Sequence, residues 1–509
     1  MLSRVLGLVR EQVFAFLFGA GMVTDAFQIA FRIPNLLRDL FAEGSMSSAL
    51  VPIYVKEQQE KGQEEAWRLL NRLISVLGVS IISITALAVV YTPEIVGLFP
   101  LESNPEKFEL TVSLTRIMMP FLPTVVLAAI WMSILNARGR FAMPALSPAI
   151  FNVISIFAAF TLCPLASHFG YPAIYGMALG VFLGGLGQWF MQVPSLRREG
   201  YRFRFDFAWK DPALLRIGGL MAFGAIGMAA TQVNVMVNSF LALAEGDGAV
   251  SWLNYAFRLM QFPIGVFGVA IAQVTLSKVA LSAASRDMGD VRATVVKSLR
   301  VALLLTVPSA VGLAVYGYPI MSIIYERGKF VSTDSAASAL ALACYAVGLS
   351  AYSCNKILVP VLYSLGKAGL AVTASVAAVI VNIIFCLVLV KLLGFAGLAL
   401  GTSLGAYVNL FILLYGVNKY AGGLDWGSLF RGLFITLLSS AFLGAVLWFL
   451  WKELAPFWQT ATFMLRLAIL SAGLSLGAGT YWLSIRSLRM QEAKDIEGLL
   501  RRKLGSRRV

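Results

Sequence analysis

The 509-residue sequence predicts an all-α polytopic membrane protein of about 14 transmembrane helices. They form two six-helix bundles related by a pseudo-twofold axis along the membrane normal, plus two C-terminal helices. Three observations carry this. Hydrophobic residues make up 59% of the chain and charged residues 13%, with a mean hydropathy of +0.79, far too apolar for a soluble globular protein. Apolar runs of roughly 20 residues, the length a bilayer demands, recur from end to end. Short motifs also recur in the same order at nearly equal offsets: Ala30-Phe31-Arg32 with Phe41 matches Ala256-Phe257-Arg258 with Phe267, and Gly176-Met177-Ala178-Leu179-Gly180 matches Gly397-Leu398-Ala399-Leu400-Gly401. The offset spans an even number of helices, so the two copies share one orientation in the membrane.

The first two segments, Leu2 to Gly19 and Ala26 to Tyr54, are interrupted by charges. Four cleaner ones follow at Leu73 to Tyr91, Leu110 to Leu135, Leu146 to Ala166 and Ile174 to Val193. The second bundle takes Ile217 to Leu243, Val250 to Leu276, Val301 to Ile324, Ala339 to Leu362, Leu370 to Val390 and Ala396 to Val417. Leu433 to Trp451 and Phe463 to Leu483 complete the set. The domains are therefore residues 1–197, residues 211–419, the extra pair at 427–486 and a basic tail at 487–509, with the basic linker Arg197 to Lys210 joining the bundles. Pro34 and Gly44 in the second segment, and Pro263, Gly265 and Gly268 in the eighth, mark expected helix breaks.

Loop charges orient the chain. With the N-terminus in the cytoplasm, most loop lysines and arginines, from Lys56 through the linker to Arg508, fall on one face. Only Lys107, Arg327, Lys329, Lys391 and Lys452 fall on the other. That asymmetry implies an even number of crossings with both termini in the cytoplasm. It also accounts for the net charge of +15 without a nucleic-acid-binding module. Cys163, Cys344, Cys354 and Cys386 lie in or beside apolar segments without metal-type spacing and read as packing residues. The single histidine, His168, is in a loop. No cleavable signal is expected at the start, and neither paired catalytic carboxylates nor a nucleophile with its base can be picked out. An enzyme is not expected, and no cofactor or metal is implied.

Charges inside membrane segments are where chemistry is expected, because an arginine at the bilayer centre costs roughly 3 kcal/mol on insertion scales. Arg4, Arg10, Glu11, Asp25, Arg32, Arg38, Asp39, Glu43 and Arg116 occupy the first half, and Arg258 and Lys356 the second. Guanidinium binds phosphate bidentately and keeps its charge when desolvated, so arginines from both bundles could surround a polyanionic headgroup. Acidic neighbours would hold them when substrate is absent. Arg4, Arg38 and Arg116 fit interfacial anchoring as well. Arg10 and Arg258 lie deeper. The second half offers Asn234, Asn238, Asn382 and Thr402 but no buried carboxylate for a cation site.

Ser3-Arg4-Val5-Leu6-Gly7, Arg10-Glu11, Phe18-Gly19-Ala20-Gly21, Thr24-Asp25-Ala26-Phe27, Pro34-Asn35-Leu36-Leu37-Arg38 and Phe41-Ala42-Glu43-Gly44 resemble the opening signature of the MurJ (MviN) family of lipid II flippases. Val250-Ser251-Trp252, Arg258-Leu259-Met260, Phe262-Pro263 and Gly328-Lys329-Phe330 resemble its later motifs. The resemblance covers essentially the whole chain and implies the multidrug/oligosaccharidyl-lipid/polysaccharide flippase superfamily. It implies alternating access to a cationic cavity for the lipid II headgroup, with the undecaprenyl tail in a groove of the last two helices. Arg4, Arg10, Asp25, Arg38, Glu43 and Arg258 match family-important positions, and Glu11 stands where aspartate is common. Asp39 departs where a second arginine often follows Arg38, and Phe257 and Gln261 replace acidic neighbours of Arg258. Relatives also carry further residues before the Ser-Arg pair. Either an apolar extension precedes Met1 or Arg4 sits at the interface.

Three functions stay open: a lipid II flippase, a flippase for another polyprenyl-diphosphate glycan, and an ion-coupled exporter of cationic drugs, for which an arginine-lined cavity has the wrong sign. Expected partners are lipid II or a related undecaprenyl-diphosphate lipid and the membrane lipids, with coupling to membrane potential or a monovalent ion. No protein partner is indicated.

Overall fold

Polar caps decide where many of these apolar helices begin. The computed structural model describes residues 2–42, 45–101 and 104–493, and among them every regular element is helical. Asn104 caps one helix by accepting from the Lys107 amide at 3.1 Å, and Asp287 accepts from Asp290 N at 3.0 Å at the start of another. Asp211, followed by Pro212, accepts from Ala213 N at 2.8 Å, and Asp425 from Ser428 N at 2.9 Å. Each carboxylate or amide oxygen satisfies an amide that would otherwise lack a partner.

The chain falls into two compact units. Unit one comprises residues up to Ser251 together with Arg327–Phe330. Its helices are α1 (Leu2–Phe18), α2 (Met22–Ala42), α3 (Ser45–Lys61), α4 (Gln63–Val90), α5 (Thr92–Val96), α6 (Pro105–Met118), α7 (Phe121–Ala137), α8 (Ala142–His168), α9 (Ile174–Phe190), α10 (Val193–Arg198) and α11 (Pro212–Ala244). α1 packs on α8, α2 on α6 and α7, and α8 on α9. A core of Leu50, Tyr54, Leu70, Leu73, Leu122 and Ile130 joins α3, α4 and α7.

Unit two contains Trp252–Glu326 and the chain from Val331 onward. Its helices are α12 (Ala249–Pro263, of which Ala249–Ser251 belong to unit one), α13 (Val269–Ala284), α14 (Met288–Val315), α15 (Gly317–Tyr325), α16 (Ser332–Val347), α17 (Leu349–Ser364), α18 (Ala368–Leu393), α19 (Phe395–Tyr420), α20 (Trp426–Trp458) and α21 (Phe463–Ser487). One buried cluster unites α13, α14, α17 and α19 around Val295, Leu299, Leu358 and Leu413. Another holds α20 and α21 to α14 and α15 through Leu443, Leu447, Trp458 and Tyr481.

Ten helices or helix pairs among the described residues are long and apolar enough to cross a membrane, and eleven if α16 and α17, bent by 44°, form one span. The protein is thus a multi-pass membrane protein. These eleven correspond to the third to sixth and eighth to fourteenth expected segments. α1 is only 17 residues long, and α2 carries Asp25, Arg32, Arg38 and Asp39. The second expected segment is two helices, α2 and α3, with Glu43 and Gly44 between them outside the described residues. In α11 the described apolar stretch is Pro212–Ala222.

Helix breaks follow proline only in part. Pro34 sits within α2 without ending it. After Pro263 the backbone widens into a π-helical turn, Ile264–Gly268, before α13. A Cβ on Gly268 would lie 3.2 Å from Ser353 of α17, so the glycine lets the two helices approach. The bend at Gly348 has no proline behind it.

Candidate functional site

In α1, Arg10 and Glu11 form an ion pair with N···O of 2.6 Å. Glu11 is buried and Arg10 half-buried, its guanidinium carbon 5.3 Å from the centroid of Phe151 on α8. Both the carboxylate and the aromatic face stabilise the cation away from water. One turn before α1 ends, backbone contacts fix its far end. Gly19 has φ +70, and Lys329 N donates to the Phe16 carbonyl at 3.0 Å. Gly328, with φ +62, lies where a Cβ would strike that same carbonyl, so the expected Gly19 and Gly328 motifs meet.

Arg32 of α2 is half-buried and donates to the Val235 carbonyl at 3.2 Å and to the Ser239 hydroxyl, both on α11. Arg38 pairs with Asp39 at 2.7 Å, and Gln232 of α11 donates to the other Asp39 oxygen at 3.1 Å. The departure at Asp39 therefore supplies the carboxylate that balances Arg38. Arg4 is exposed on α1, near the point where Asn152 of α8 donates to the Ser3 carbonyl at 3.2 Å. Glu43 lies outside the described residues.

Asp25 is fully buried, and its carboxylate is enclosed by protein donors. Ser251 gives its amide at 2.9 Å and its hydroxyl at 2.6 Å to Oδ1. Gly248 N at 2.7 Å and Lys107 Nζ at 3.3 Å reach Oδ2. Lys107 is itself buried and also pairs with Asp247 at 2.8 Å. Its placement differs from the expected outer-loop charge: α6 carries it inward because Asn104 starts the helix ahead of it. The partner of Asp25 is thus a lysine and not one of the arginines. No spacing in the sequence joins residues so far apart.

In unit two, Arg258 is exposed on α12 between the buried pairs Tyr255-Ala256 and Leu259-Met260. Phe257, replacing an acidic neighbour, stacks edge-on to Tyr345 of α16 with ring centroids 5.3 Å apart. Trp252 donates through its indole to Asp334 at 3.0 Å. Arg116 and Lys356 are exposed on their helices. The cysteines carry no disulfide, and three of the four are buried. The structure brings Arg10 to Glu11 and Arg38 to Asp39, and places Arg32 against α11. Arg10 and Arg38 thus each pair with the carboxylate next to them in sequence, and Arg32 donates to neutral acceptors of α11.

The sequence model described as "Lipid II flippase MurJ" matches residues 14–469. The chain belongs to the lipid II flippase MurJ family. The probable lipid II flippase MurJ of Vibrio cholerae is 33% identical over 98% of this chain and 95% of its own length. The lipid II flippase MurJ of Burkholderia cenocepacia is 34% identical, with 82% of each chain covered. Among solved structures, "Lipid II flippase MurJ, inward closed conformation" aligns with a TM-score of 0.78 and 27% identity over 96% of this chain and 97% of that one. An inward-facing multidrug resistance MATE family transporter of the MOP superfamily shares the fold, with a TM-score of 0.68 at 14% identity over 82% of this chain and 95% of that one.

Proposed function

We propose that this protein translocates lipid II, an undecaprenyl-diphosphate-linked disaccharide pentapeptide, from the cytoplasmic to the outer leaflet by alternating access, its diphosphate held by arginines. Family membership supports the substrate, and the environment of Arg10 carries the mechanism. A guanidinium kept charged within a membrane helix by one sequence neighbour and an aromatic face is ready to exchange that neighbour for phosphate oxygens. Arg32 and Arg38 offer the same chemistry from α2, Glu11 and Asp39 neutralise the site between cycles, and Arg258 contributes the second unit's guanidinium. The buried Asp25 positions α2 without meeting substrate. The tail stays in lipid along α20 and α21, where Phe434, Phe442, Leu465 and Leu483 are exposed. Membrane potential or a monovalent ion drives the cycle.

The test is complementation of a flippase-depleted strain, read together with lipid II in the outer leaflet. The wild-type chain restores both. Arg10→Ala and Arg258→Ala insert normally yet lower translocation by about 100-fold, as expected for loss of a charge-assisted phosphate contact of about 3 kcal/mol. Arg10→Lys keeps the charge without the bidentate fork and is intermediate. Full activity in both alanine variants would overturn the arginine-held diphosphate. Restored growth without outer-leaflet lipid II would reassign the substrate to another polyprenyl-diphosphate glycan.

A further inference from the structure

We propose that unit one binds an anionic phospholipid of the bilayer, its acyl chain in the cavity behind the Tyr201–Lys210 segment and its phosphate at Arg197 and Arg202. The site is separate from the arginines of α1 and α2, and it stands whichever lipid is translocated. The cavity measures about 920 Å³. Ile74, Gly78, Val79 and Ile82 of α4, with Leu127 of α7 and Phe190 of α9, give it apolar walls. Arg197 and Arg202, both exposed, complete its lining from α10 and the linker.

The linker is a built element. Tyr201, Phe203, Phe205, Phe207 and Trp209 alternate along it with Arg202, Arg204, Asp206, Ala208 and Lys210, and residues 201–208 form neither helix nor strand. Bonds to α4 pin it. Asn71 accepts from the Tyr201 hydroxyl at 2.8 Å and from Arg204 N at 3.2 Å, Ser75 accepts from Asp206 N at 3.0 Å, and Arg72 pairs with Asp206 at 2.9 Å. At its base Glu199 bridges Arg140 and Arg138 at 2.7 and 2.8 Å, and those guanidiniums hold its carboxyl below the usual range. Phe203 and Phe205 nonetheless remain 54% and 68% exposed. Fixed aromatics with basic residues between them match the chemistry of a membrane interface, where rings enter the headgroup layer and cations meet phosphate.

The aromatic lining continues inside the cavity. Trp131 and Trp189 both line it, their rings tilted by 38° with centroids 5.5 Å apart. Unit two has a cavity of about 720 Å³ against α14, α17, α19 and α20, lined by no lysine or arginine among the described residues. There the Trp426 indole already donates to Asn418 at 3.1 Å. The cationic rim thus distinguishes the unit-one cavity.

Native mass spectrometry of the full chain, released from bilayers of phosphatidylglycerol and phosphatidylcholine in equal amounts, reads the retained lipid. Wild type is expected to keep phosphatidylglycerol in preference to phosphatidylcholine. Gly78→Leu fills the cavity, since a Cβ there meets nothing within 4 Å, and retention of both lipids falls about tenfold. The exposed pair Arg197→Gln/Arg202→Gln folds normally and loses about tenfold of the phosphatidylglycerol preference alone. Equal phosphatidylglycerol retention in all three proteins, or no headgroup preference in wild type, would overturn the proposal. Neither variant touches the arginines of α1 and α2, so lipid II translocation assayed alongside separates this site from the transport reading.

Discussion

The cost of burying charge makes the Asp25–Lys107 pair a sensitive point of unit one. Asp25 is wholly buried and Lys107 nearly so, and each answers the other within 3.3 Å. Removing one partner leaves an uncompensated charge, a loss of about 3 kcal/mol or more. Lys107→Met should therefore lower the melting temperature in detergent by many degrees. Adding Asp25→Asn should recover part of it, because the amide oxygen still accepts from Ser251 and no buried charge is stranded, although the Gly248 amide loses its acceptor. A double variant no more stable than Lys107→Met would show that the two groups are uncoupled. Asp25 was recognisable from its motif alone. Its lysine was not, because a loop charge and a buried counter-ion look identical until the capping of α6 settles where the side chain goes.

At the level of helices, the repeated glycines have one job in both units. A Cβ on Gly176 would strike the backbone of Leu162 and Cys163, bringing α9 against α8. A Cβ on Gly397 would strike the backbone at Leu389 and Val390, bringing α19 against α18 in the same way. One turn on, Gly180 faces Ala158 and Gly401 faces Cys386. Close approach of this kind is how membrane helices gain packing when lipid offers no hydrophobic drive. Gly176→Ala and Gly397→Ala should each destabilise by about 1–3 kcal/mol, the range for overpacking against groups that cannot move, while Gly218→Ala, open on all sides, should not. Parallel melting curves of the three variants decide it. This pairing was legible because small residues recur in register, and so was the break after Pro263. The bend at Gly348 was not, for it arises from contact with Ser403 of α19, which local sequence does not encode. Pro34 misled in the opposite direction, since neighbouring helices hold α2 together around it.

For the molecule as a whole, the number of crossings decides which way everything faces. Eleven spans recognised by length and composition would leave the two termini on opposite sides. Adding α11 as a crossing restores an even number and puts the linker, the Lys56–Arg72 stretch and the basic tail on one face, and α1 and α2 as a crossing pair keep that parity. Short α1 and charged α2 fall outside a length-and-hydropathy criterion, yet Arg10, Arg32 and Arg38 have partners inside the protein, in Glu11, α11 and Asp39. Single cysteines in a background lacking Cys163, Cys344, Cys354 and Cys386 test this directly. Lys61→Cys and Lys210→Cys should resist an impermeant maleimide in intact spheroplasts and react after permeabilisation, whereas His168→Cys and Thr460→Cys should react at once, all four positions being exposed. If Lys61→Cys and Lys210→Cys label on opposite sides, an odd number of crossings lies between them, and one helix of unit one does not span the membrane.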